Sequence, residues 1–156
     1  MGIGGHAWNP ATSSVSVQWK HRDMEQIQRL RPEGLVHSPA FSHVAVVPPG
    51  ATTIYVGGQN SVDADGTLVG ADDVAAQAAR ALENAGVALA AAGATFADVV
   101  QWTVLFVDGV DLAAAYGAIA PVLASEEPPL VLGARVAGLG VPGALIEVSA
   151  VAAVVR

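Results

Sequence analysis

The sequence predicts an α+β domain in which one mixed sheet carries two helices on a single face. Three observations predict it. Short β-branched runs and two Ala-rich stretches follow one another in the order β-β-α-β-α-β-β after residue 44 or so. The first Ala-rich stretch has a continuous apolar face at helical spacing. The strands alternate singly with the helices, which is the pattern of one sheet with helices on one side rather than two stacked sheets. The other face of that sheet then lacks a cover, and only another subunit remains to supply one.

Each element has its own local reason. Residues 1–23, "MGIGGHAWNPATSSVSVQWKHRD", show no sustained period and are rich in Gly, Ser and Thr. They are expected to form a flexible N-terminal extension with at most a short strand at Val15–Trp19, and Met24 offers an alternative start. A single domain is expected over 24–156. "AVVPPG" (45–50) ends a short strand in a turn, and "TTIYVGGQ" (52–59) is a β-branched and aromatic strand running into glycines. "DADG" within 63–66 reads as a turn, since the rest of a calcium loop is missing.

In "DDVAAQAARALENAGVALAAAG" (72–93), Val74, Ala78, Ala81, Leu82, Ala85 and Leu89 fall on one helix face. Asp72 and Asp73 suit the positive end of its dipole, and Gly93 is placed to terminate it. "DVVQWTVLFVDG" (98–109) is a Val-rich strand. Asp111 can cap a second helix over 112–124, which Pro121 is expected to bend or shorten. "PPLVLGARVAGL" (128–139) and "ALIEVSAVAAVV" (144–155) close the chain as strands.

Composition narrows the function. The chain is 53% hydrophobic and 13% charged, against about 25% charged in an ordinary soluble chain. Subunit interfaces are the natural place for such an apolar excess. A membrane is not expected, because no run approaches the ~20 apolar residues a spanning helix needs. A net charge of −7 with seven Lys plus Arg argues against nucleic acid as a partner. There is no cysteine, so disulfides, thiolate metal sites and a cysteine nucleophile are excluded. His37 and His43 flank Phe41 without metal-ligand spacing, and "GGQ" (57–59) lacks the Lys-Ser/Thr of a phosphate loop. No cofactor is expected. No signal peptide is evident, so the cytoplasm is the expected compartment.

Two charges stand inside the closing strands. The period of two puts Ile146, Val148, Ala150 and Ala152 on one uniformly apolar face and Glu147 on the other. Val131, Gly133, Arg135 and Ala137 likewise share a face. Glu147 and Arg135 then read either as an ion pair, across strands or between subunits, or as parts of a cleft. In a cleft, desolvation would raise the carboxyl's pKa and suit it to acid–base work. Trp102 and Tyr116 read first as core aromatics.

The chain from about Ile27 to its end resembles the Rid (YjgF/YER057c/UK114) family, whose founding members are enamine/imine deaminases. The resemblance rests on "SPAFSHVAVVPPG" (38–50), "IYVGGQNSVDADGTLVG" (54–70), "DVAAQAARALENAGVALAAAGATFADVVQWTVLFVD" (73–108) and "PPLVLGARVAGLGVPGALIEVSAVA" (128–152). It implies a chorismate-mutase-like subunit in a homotrimer with a central β-barrel and a small-molecule ligand in each intersubunit cleft. It also implies that Glu147 matches the glutamate near the family's activated water, and Gly58 the glycine whose backbone meets the ligand.

The family's deaminases hold a substrate carboxylate with an arginine after Pro-Ala. Counting from Pro128-Pro129, and back from Leu139, both put Val131 at that arginine. Phe41 falls at the family's opening tyrosine, and Tyr116 at an asparagine of the second helix. Arg135 would substitute for the arginine only through a slip of four residues, about 13 Å along the strand. Without the anchor, a charged hydrogen bond worth about 1.5–3 kcal/mol is forfeited. The expectation is therefore hydrolysis or tautomerisation of an imine, enamine or related carbonyl compound, with Glu147 moving the proton. A ligand-binding or regulatory trimer without turnover is the alternative, using a pocket left by Phe41, Tyr116 and Val131. The ribonuclease activity attached to some relatives is not expected of so acidic a surface.

Overall fold

A computed structural model describes residues 25–156. The expected extension, its strand at Val15–Trp19 and the alternative start at Met24 lie outside the described residues. The elements run β1 (Gln28–Leu30), β2 (Val44–Val46), β3 (Thr52–Gln59), α1 (Val74–Ala91), β4 (Val99–Val107), α2 (Leu112–Leu123), β5 (Leu130–Val136) and β6 (Ile146–Val154). A one-turn 3-10 helix, Phe96–Asp98, leads into β4.

Four strands form the main sheet in the order β3-β6-β4-β5. The β3/β6 and β6/β4 pairs are antiparallel, and β4/β5 is parallel. Parallel neighbours require a crossover, and α2 provides it. The fold is thus α+β, a mixed sheet with both helices on one side. The strand at 44–46 departs from the expectation: it pairs with β1 as a separate two-stranded ribbon, not with the main sheet. Arg29 of β1 fastens that ribbon to the start of β4, its Nη2 donating to the carbonyls of Ala97 and Val99 at 3.0 and 2.8 Å.

The core lies between sheet and helices. The expected face of α1 is the buried one, with Ala78, Ala81, Leu82, Ala85 and Leu89 set against Val56, Ile146, Val148, Ala150 and Ala152. Trp102 is a core residue, 1% exposed. Small residues on α1 let it lie close to the sheet, and α2 packs chiefly on α1.

Helix ends follow local chemistry. Asp73 accepts from the N–H of Ala76, and Asp111 from those of Ala113 and Ala114, satisfying donors that the first turn leaves free. Asp72 is outside α1 with φ of 62°, so Asp73 alone of the expected pair acts at that end. At the other end Gly93 has φ of 72°, its N–H donates to Ala90, and that of Ala94 donates to Leu89. This double bond pattern with a left-handed glycine is the Schellman stop. Pro121 falls in the last turn of α2, which ends at Leu123.

One buried polar residue ties the layers together. Gln77 on α1 is 0% exposed. Its amide donates to the carbonyls of Gly70 and Gly143 at 3.1 Å each and accepts from the N–H of Leu145 at 2.8 Å. The residue thereby holds the approach to β6 two positions before Glu147.

Candidate functional site

Register decides where each candidate side chain points. Trp102, Val104 and Phe106 of β4 stand beside Val131, Gly133 and Arg135 of β5, and beside Ala150, Val148 and Ile146 of β6. Directly paired residues share a face, so Val131, Gly133 and Arg135 are on the helix side. Leu105 stands beside Ala134 and Glu147, which puts Glu147 on the opposite, open face. Glu147 and Arg135 are therefore on opposite faces with β4 between their strands. An ion pair between them within one chain is ruled out, and Arg80–Glu83 at 3.2 Å is the one salt bridge among the described residues.

The open face carries Glu147 with Leu105, Thr103, Ser149 and Val151, and Tyr55 there is 79% exposed. No described element covers it. Beside Glu147, β3 is irregular: Val56 pairs with Ala150, and Gln59 with Val148, three residues against two. Such a bulge re-aims the chain, and Gly58 sits in it. A Cβ placed on Gly58 would lie 2.6 Å from Cδ of Glu147. The missing side chain is what lets the carboxylate lie across β3, a role for Gly58 that the sequence pattern did not reveal. Replacing Gly58 by Ala should leave the fold intact, since its φ is not in the left-handed region. It should displace the Glu147 carboxyl group and reduce any Glu147-dependent turnover about tenfold or more. A melting temperature within ~3 °C of wild type would accompany that loss. Unchanged turnover would show that the contact does not set the position of Glu147.

The second candidate site is a cavity of about 600 Å³ on the helix side, between α2, β5 and the segment before β2. Phe41, Tyr116, Val131 and Gly133 line it together with Val104, Ile119 and Leu123. The N–H of Ser42 donates to the carbonyl of Pro129 at 3.1 Å, and this bond holds Phe41 beside the start of β5. Tyr116 is 41% exposed and not a core residue, contrary to the first reading of its aromatic ring. Its ring meets Phe106 at a centroid distance of 5.3 Å. Its hydroxyl would stand 3.2 Å from a Cβ on Gly133.

Arg135 is exposed and lies outside the cavity wall, and its side chain makes no hydrogen bond or ion pair with another described residue. His43 has Nε2 at 2.8 Å from the carbonyl oxygen of Val36 and meets Phe41 edge-on, so it braces the segment. The Asp63–Gly66 turn is closed by its own carboxylate, Oδ1 of Asp63 accepting from the N–H groups of Asp65 and Thr67. No helix among the described residues is long and apolar enough to cross a membrane.

The candidates thus form two groups. Glu147 and Gly58 meet on the open face, and Phe41, Tyr116 and Val131 meet around a cavity on the other. One small molecule cannot touch both groups of a single chain through the sheet.

Comparison with known proteins agrees with this architecture. The family model described as Endoribonuclease L-PSP matches residues 35–154. The chain is similar to YyfB, a protein of the conserved Rid family of unknown function from Yersinia pestis. Identity is 30%, over 82% of this chain and 98% of that one, with a TM-score of 0.71. A member of the YjgF/YER057c/UK114 family from Mycobacterium tuberculosis is 29% identical, over 72% and 86% of the two chains, at a TM-score of 0.56. The YjgF gene product of E. coli is 30% identical over 68% and 83%, at 0.57. No curated protein matches the sequence.

Proposed function

This chain belongs to the Rid (YjgF/YER057c/UK114) family, and we propose that it assembles with two copies of itself and hydrolyses or tautomerises a small imine, enamine or related carbonyl compound between them. The observation that carries the proposal is the separation of the two groups across the sheet. A ligand in the cavity of one chain meets Glu147 only if the open face of a second chain brings it there. The uncovered face supports the same reading, because the exposed Tyr55 and the half-buried Val151 and Leu105 would gain hydrophobic stabilisation from a second chain packed on them.

The chemistry follows from the groups. In hydrolysis, Glu147 takes a proton from water as the water oxygen bonds to the imine carbon and the C=N π pair moves to nitrogen, which takes up a proton. The carbinolamine nitrogen is then protonated again, its hydroxyl gives up a proton to form the carbonyl, and the C–N bond breaks to release ammonia. In tautomerisation, the same carboxylate moves a proton between carbon and nitrogen. Neither needs a metal ligand or a redox group, and a carboxylate with no cation against it among the described residues is a fitting base. The absence of a side chain on Gly58 leaves the carboxyl group the space it occupies.

Mixed assembly tests the proposal. Solution mass should be three times the 15.7 kDa of one chain. Glu147→Ala removes the carboxylate, and Gly133→Leu fills the cavity, so each variant alone should be inactive. Co-refolded together, they should recover activity in about a quarter of the sites, those pairing an open cavity with an intact Glu147 from a neighbour. Ammonia release would be followed from an imine made in situ, by a flavin-dependent amine oxidase from benzylamine or by an amino-acid oxidase. A monomeric mass, or no recovery on mixing, would refute sharing of the site.

A further inference from the structure

We propose that the cavity selects an uncharged ligand with an apolar body and one hydrogen-bonding group, and that Val131, Gly133 and Tyr116 set this choice. The inference rests on the cavity being the ligand site of the proposed function, and it names the class of ligand. Its volume of about 600 Å³ lies within the ~300–1,000 Å³ of small-molecule sites. Every residue of its wall is uncharged, and the Tyr116 hydroxyl is the single side-chain hydrogen-bonding group among them. That hydroxyl makes no hydrogen bond to another described residue, so a ligand carbonyl, imine or ether can accept a hydrogen bond from it without displacing a described partner.

A carboxylate has no such welcome. Entering an apolar cavity strips its hydration, and one hydroxyl in an otherwise apolar wall does not return the lost interactions of a full charge. Two arginines neighbour the cavity in the fold. Arg135 stands two residues beyond Gly133 on the same face but outside the wall, and Arg29 borders a smaller adjoining cavity of about 170 Å³. Arg29 already donates to Ala97 and Val99. Gly133 matters because any side chain there would press on the Tyr116 hydroxyl and take up cavity volume. The apolar walls of Ile119, Leu123 and Phe41 then favour a hydrocarbon or aryl body through its removal from water.

The test uses two probes of nearly equal shape, 4-phenylbutan-2-one and 3-phenylpropionate, titrated calorimetrically into the full chain. The ketone should bind at least tenfold tighter than the carboxylate. Tyr116→Phe should weaken the ketone about fivefold, the value of one neutral hydrogen bond. Gly133→Leu should abolish its binding, and Val131→Arg should invert the preference. Equal or tighter binding of the carboxylate overturns the inference. So does ketone binding that survives Gly133→Leu, or carboxylate binding that Arg135→Ala removes. Failure here is distinct from failure of the catalytic reading. Ketone binding without Glu147-dependent ammonia release leaves the ligand class standing and removes the reaction. Turnover of a carboxylate-bearing imine, with no ketone binding, does the reverse.

Discussion

Exchanging Glu147 for Gln should slow ammonia release from the benzylamine-derived imine about a hundredfold or more. A positioned general base or acid contributes roughly 10²–10⁴-fold, and glutamine keeps the shape of the side chain while losing its capacity to accept a proton. Asp should give an intermediate loss, because shortening by one methylene withdraws the carboxylate from where Gly58 lets it lie, and small misplacements are costly in rate. Folding should be unaffected, since Glu147 pairs with no cation among the described residues. Affinity for 4-phenylbutan-2-one should also be nearly unchanged, which separates loss of chemistry from loss of the pocket. If Glu147→Gln retains activity within threefold of wild type, the carboxylate is not the proton carrier, and the catalytic reading falls.

The second large effect is on stability. Gln77→Leu keeps the volume of the side chain but leaves the N–H of Leu145 and the carbonyl of Gly143 without the partners they have now. Each orphaned buried group costs about 1–3 kcal/mol, so a loss of about 3 kcal/mol is expected. For a domain of this size that is roughly 10 °C in melting temperature, compared at equal protein concentration because assembly contributes to the transition. Gln77→Glu should also destabilise: it retains an acceptor for Leu145 but loses the donor to Gly70 and Gly143 and buries a charge. Because Leu145 stands two residues before Glu147, turnover should drop in both variants even at temperatures where they are folded. A shift under 2 °C for Gln77→Leu would mean that the bond network is dispensable.

Much of the fold was written in local chemistry. Helical spacing marked the buried face of α1, the Asp111 cap and the Gly93 stop were readable from residue type, and the alternation in β6 separated its core side from Glu147. Each of these depends on neighbours within a turn or two of chain, where sequence distance and spatial distance coincide. The same four segments carried the family.

What the tertiary structure decided lies between elements. The run "LVLGARV" of β5 is apolar on both faces except for Arg135 near its end, so its period grouped Val131, Gly133 and Arg135 without telling which side of the sheet they took. Only pairing with Trp102, Val104 and Phe106 set them on the helix side, away from Glu147. The β1–β2 ribbon was hidden because three-residue strands carry too little pattern. Gln77 gave no signal, since a polar residue on a helix reads as surface until three backbone groups 7, 66 and 68 residues away converge on it. Composition and spacing by themselves pointed to the α+β class, and the resemblance of four segments pointed to the family. Register and long-range packing decided that the open face holds a carboxylate and the helix side an uncharged cavity, because which face of a sheet a side chain occupies is a property of the pairing and not of the strand.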